Sequence, residues 1–128
     1  MPIKFDPRTL NKYAFESLNG LSTKHSNDKP RRTEQKGQAQ ELYTYISTWG
    51  LIRLKAEEKA LNQEGKKDIV IAFFEQLKEI SGHTDLVGNN STQALINLNA
   101  NEYLGLTGLA LELANEFGFW ANAVYSDV

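Results

Sequence analysis

Toward the end of this 128-residue chain the apolar side chains fall at Tyr103, Leu106, Ala110, Leu113, Phe117 and Trp120. Spacings of three and four place all six on one face of an α-helix. Leu104, Leu109 and Ala114 broaden the face, so the helix is expected to sit at the centre of the fold. It starts after Asn99 or Asn101 as N-cap, with Glu102 in the first turn. A chain carrying such a stripe must supply other helices to cover it.

The rest of the sequence does so. Asp6 as N-cap and Pro7 in the first turn open a first helix. Leu10, Ala14, Leu18 and Leu21 form its stripe, and Gly20 is expected to stop it. A second helix is expected from Gln38, with Leu42, Tyr45, Ile46, Trp49, Ile52, Ala56 and Ala60 facing inward and a kink or break at Gly50. "NQEGKK" at residues 62–67 reads as a turn. The next helix is expected from Asp68 to Ser81, burying Val70, Phe73, Leu77 and Ile80, with Ile69, Ile71 and Phe74 widening its face. A loop then leads to a short helix at residues 92–97, capped by Asn90 or Ser91. No strand-like alternation, repeat or sustained heptad occurs. The expectation is all-α: a single-domain helical bundle of five to six helices, of a size that supports one core.

Between the first two helices lies "KHSNDKPRRTEQKGQ", with Lys24, Lys29, Arg31, Arg32 and Lys36 and no large apolar side chain. Asn27, Asp28, Pro30 and Gly37 read as breakers, which predicts a long basic loop at residues 22–37, either functional or disordered on its own. The charges are segregated. Residues 1–78 carry all 14 Lys and Arg against 10 acids, net +4, and residues 79–128 carry six acids and neither Lys nor Arg, net −6. This predicts one basic and one acidic end.

Chemistry has few candidates. Without cysteine there is no disulfide, thiolate nucleophile or cysteine-held metal. His25 and His83 fall in expected loops outside any nucleophile elbow, and two isolated imidazoles supply too few ligands for a metal even with Asp85 beside His83. Glu112 and Glu116 share a helix face, but no His accompanies them as a di-metal bundle requires. "GLTG" at residues 105–108 lies inside the helical stripe and follows no strand, so it is not a phosphate loop. "NNST" at residues 89–92 fits a glycosylation acceptor twice but reads as loop and cap. The N-terminal "MPIKFDPRTL" has no apolar leader segment, and no apolar run approaches the roughly 20 residues that span a bilayer. A soluble, unprocessed, cytoplasmic protein without cofactor or metal is expected. What remains is basic charge, which suits either ordinary solvation or sequence-independent contact with phosphates through Lys and Arg, and composition does not choose between them.

Two stretches resemble a known family. "LNANEYLGLTGLALELANEFGFWANA" (residues 98–123) is similar to the C-terminal helix of the small all-helical subunit of type III-B, Cmr-type, CRISPR effector complexes. The matching positions are Glu102, Tyr103, Thr107, Ala110, Leu111, Leu113, Phe117, Trp120, Ala121 and Ala123. "YTYISTWGLIRLKAEEKAL" followed by "IVIAFFEQLKEI" looks like that family's Gly-Leu helix, charged turn and amphipathic helix, with Gly50 and Leu51 at the Gly-Leu position. "RTLNKYAF" from Arg8 is a weaker match. Thr48 and Trp49 stand where the family often has Pro, and the last helix is acidic where the family's is often basic.

The resemblance implies a non-enzymatic subunit that stacks as a short filament beside the backbone subunits carrying guide RNA, lining the groove for target RNA. Its implied partners are copies of itself, other effector subunits, and guide and target RNA through phosphates, with no membrane. The acidic last helix moves RNA contact to the N-terminal half. From charge and expected exposure, Lys29, Arg31, Arg32, Arg53 and Lys55 are the candidate phosphate contacts, with Arg8 and Lys12 next. Replacing Arg31 and Arg32 with Ala is expected to weaken RNA retention without unfolding. The competing readings are a protein-only helical adaptor and, behind it, a small enzyme with a carboxylate site.

Overall fold

The computed structural model describes residues 6–128. They form six α-helices: α1 (Pro7–Lys24), α2 (Lys29–Trp49), α3 (Leu51–Ala60), α4 (Glu64–Ser81), α5 (Ser91–Ile96) and α6 (Ala100–Val124). A 3-10 turn at Thr84–Leu86 lies between α4 and α5, and no strand occurs among the described residues. The protein is an all-α single-domain bundle.

α2 packs on both α6 and α4, α1 covers α6, and α3 folds back along α4. Tyr103 of α6 reaches Ile52 at the top of α3, while Asp127, beyond the other end of α6, reaches Arg32 in the first turn of α2. α6 therefore runs antiparallel to α2. Arg31 and Glu34 meet Asp68 and Gly65, which brings the N-termini of α2 and α4 to the same end.

The stripe of α6 is buried from Leu106 through Ala110 and Leu113 to Phe117, with Tyr103 and Trp120 half-buried at its ends. Phe117 meets Phe73 edge-on at 5.5 Å, and Phe73 meets Phe74 at 5.6 Å. Fully burying a side chain of this size contributes about 1.5–3 kcal/mol. Asn99 and Glu102 close a capping box: Glu102 N–H donates to Asn99 Oδ1 at 2.8 Å, and Asn99 N–H donates to Glu102 Oε1 at 3.3 Å. Leu104, expected to widen the stripe, is exposed.

The expected long loop is not a loop. α1 continues past Gly20 to Lys24, and α2 begins at Lys29, which leaves a four-residue connection at residues 25–28. Asp28, read as a breaker, is the N-cap of α2, its Oδ1 accepting from Arg31 N–H at 3.1 Å, and Pro30 occupies the first turn, where its missing N–H is harmless. The segment looked unstructured because its buried face is polar. Arg32, Gln35 and Gln38 take the inward positions that Ala39, Leu42 and Ile46 continue.

Gly50 (φ +90°) ends α2 and opens α3, the break expected there. The break resets the helical register. Leu51, Leu54 and Lys55 turn inward, whereas Trp49, Ala56 and Ala60, assigned to the apolar stripe from sequence, are exposed. The supposed turn at residues 62–67 contains the start of α4. A Cβ on Gly65 would lie 2.4 Å from the Arg31 carbonyl oxygen, so glycine is there to let α2 approach. On α4, Val70, Phe73, Phe74, Ile69 and Leu77 are buried, but Ile71 faces solvent.

Candidate nucleic-acid interface

The seven candidate cations divide by what they touch. Arg31 is held from two directions: Nε and Nη2 donate to Asp68 at 2.7 and 2.9 Å, and Nη1 pairs with Glu64 at 3.0 Å. Arg32 is buried. Its Nη1 and Nη2 donate to Asp127 at 2.7 and 2.8 Å, Nη2 also donates to Ser22 Oγ at 2.9 Å, and its guanidinium lies 5.6 Å from the Tyr125 ring centroid. Lys55, only 5% exposed, donates to Glu58 at 2.6 Å and sits 4.4 Å over the Phe74 ring. These three side chains tie helices together, and the exposure the sequence predicts for them does not hold.

Arg8 is tethered within its own cap, donating to both Asp6 carboxylate oxygens at 2.7–3.1 Å, although it remains open to water. Lys12 and Lys29 are exposed and in no ion pair among the described residues. Arg53 is also free of acids, and its guanidinium covers the Trp49 ring at 5.2 Å.

Around Arg31 and Arg32 the sequence builds an interior network that periodicity could not show. Gln35 Nε2 donates to Asp68 Oδ2 at 2.9 Å while Gln35 Oε1 accepts from Tyr125 Oη–H at 2.7 Å. His25 Nδ1 lies 3.0 Å from Gln35 Nε2 and 3.1 Å from the Leu21 carbonyl oxygen. Burial pushes the Asp68 carboxyl up, but bonds from Arg31 and Gln35 outweigh it and hold the group below the usual carboxylate range. The hydrogen bonds from Arg32 hold Asp127 low as well, and burial pushes the Tyr125 phenol above its ordinary value.

The unpaired lysines gather elsewhere. Lys24 ends α1, Lys29 begins α2, Lys59 nearly ends α3, and Lys66 and Lys67 lie in the first turn of α4. Antiparallel packing brings these four helix ends to one end of the bundle. There Arg31, Lys59, Asn62, Glu64, Lys67 and Asp68 line an open cleft of about 330 Å³. The N-termini of α2 and α4 add positive dipole ends. Lys24, Lys59, Lys66 and Lys67 had no place among the candidates because their convergence depends on the tertiary fold.

The charge segregation seen in sequence also takes a different form. α6 runs the length of α2, so Glu102, Glu112 and Glu116 lie along one side of the bundle rather than at one end.

Among the described residues no group of three or more His, Asp or Glu could hold a metal ion, and no helix is long and apolar enough to cross a membrane. No family model, curated protein or solved structure matches the chain.

Proposed function

We propose that this chain is the non-catalytic small subunit of a cytoplasmic RNA-guided antiviral effector complex of the type III-B, Cmr kind, and that its lysine-bearing end touches RNA phosphates. One observation above the others supports this reading. The two stretches that resemble the family meet in space at their hallmark positions: the Tyr103 hydroxyl sits at the Gly50–Leu51 corner and accepts from Ile52 N–H at 3.3 Å. The resemblance lies in two separate segments, and a shared corner gives a physical reason for a Gly-Leu pair and a distant Tyr to occur together.

In this reading Lys24, Lys29, Lys59, Lys66 and Lys67 replace Arg31, Arg32 and Lys55 as the phosphate contacts. Long cations on four helix ends can follow a backbone without reading sequence. The cation-free exposed side of α6 is left for a cation-bearing neighbour, the next copy included, and head-to-tail contact of that kind grows a filament.

A tagged pull-down from the native host tests this. The expected result is co-recovery of guide RNA, backbone subunits and untagged copies of the chain. Recovery of protein partners with no RNA would replace the reading with a helical adaptor. Within a recovered complex, reversing Lys29, Lys59, Lys66 and Lys67 to Glu should weaken RNA retention across sequences. It should also flatten the salt dependence, by about 0.7 in the logarithmic slope for each phosphate left unneutralised.

A further inference from the structure

We propose that Trp49 and Arg53 form a stacking site for one nucleobase of single-stranded RNA, the indole taking the base and the guanidinium the adjoining phosphate. This rests on the RNA reading above and adds a second contact, at the opposite end of α2 from Lys29, that phosphate chemistry alone does not supply.

Trp49 is the last residue of α2, and Gly50 turns the chain so that α3 returns Arg53 to the ring at 5.2 Å. With a guanidinium over one face, 55% of the Trp49 surface still faces solvent. One turn earlier Tyr45 is half-buried, and Arg53 makes no ion pair among the described residues. Of the seven cations the sequence offers as phosphate contacts, Arg53 alone combines freedom from acids with an exposed aromatic ring. Flat aromatic faces beside a cation are what sequence-tolerant single-strand binders use, because every base presents a π-face.

The remaining exposed aromatic side chains lack this geometry. No cation lies over Tyr43, and Phe15 and Phe119 meet Trp120 at 5.3 and 5.2 Å with interplanar angles of 65° and 88°, so the rings meet edge to face, with no cation over any of them among the described residues.

The test uses the full chain near 50 mM salt with two probes: a 20-mer of oligouridylate and an abasic ribose-phosphate oligomer of equal length. Tryptophan emission of the native chain is compared with that of Trp49→Phe, so the difference reports Trp49 alone. The expected result is saturable quenching of that difference signal by oligouridylate and none by the abasic oligomer. Trp49→Leu, a surface change checked by helical circular dichroism, should lower oligouridylate affinity roughly five- to 150-fold. Oligouridylate binding with unchanged Trp49 emission and undiminished affinity in Trp49→Leu would overturn stacking and leave the phosphate reading standing. Equal quenching by the abasic oligomer would overturn it too, since phosphate alone would be moving Arg53. Absence of binding to both oligomers would overturn the RNA reading together with the site. Loss of a protein subunit from the Trp49→Leu complex with RNA retained would assign the ring to a protein neighbour, against the proposal.

Discussion

Arg31 and Arg32 were legible in the sequence as charges but not as structure, because their acids lie 37 and 95 residues away. The consequence reverses an expectation. Replacing both with Ala should lower the melting temperature clearly, since it strips Asp68 and the buried face of α2 of their partners; a melting temperature equal to wild type would contradict the network. Asp68 also sets a pH dependence. Its carboxyl is held below its unfolded value, so its stabilisation is complete above the ordinary carboxylate pKa and is lost as pH falls from about 4 toward the depressed value. Urea midpoints at pH 5, 4 and 3 should therefore fall more steeply in wild type than in Asp68→Asn. Thr107 is the counter-case. Its Oγ is the one buried side-chain polar atom without a partner among the described residues. Thr107→Val, which keeps the shape and removes the orphan, should raise stability by about 1 kcal/mol in denaturant unfolding. A loss of stability would mean that the hydroxyl has a partner after all.

At the scale of elements, glycine has three different meanings here that sequence does not separate. Gly37 and Gly20 lie inside helices with nothing near a would-be Cβ, so Ala at either should stabilise by about 0.5–1 kcal/mol. Gly50 (φ +90°, ψ 166°) occupies backbone space that is essentially glycine's, and Gly50→Ala should cost about 1–3 kcal/mol without any clash. Gly65→Ala drives a methyl group into the α2 backbone and should be the most damaging of the four in thermal unfolding. The helices with apolar stripes (α1, α4 and α6) could be read from periodicity, and the start of α6 from Asn99 or Asn101 as cap with Glu102 in the first turn; the reciprocal capping box is visible only in the structure. α2 could not, because half its inward face is hydrophilic. The register change at Gly50 was foreseen as a break, but its effect on which side chains turn inward was not.

For the whole molecule, the fold class was legible and the charge geometry was not. Segregation along the sequence predicted two ends; antiparallel packing of α6 on α2 converts it into a lysine-bearing end and an acid-bearing side. A candidate interface assembled from four helix termini has no signature in any one of them. The polar face of α2 has one more consequence, for the order of events in folding. Hydrophobic collapse can gather α4, α6 and the second half of α2, but it has no grip on the segment containing Arg32, Gln35 and Gln38. That segment has to wait until Asp68, Tyr125 and Asp127 are in place, since its partners are remote in sequence and must first close long loops. It should be the last part of the helix to form and the first to open. Native-state hydrogen exchange at residues 32–38 should then run ahead of that at residues 39–49 of the same continuous helix.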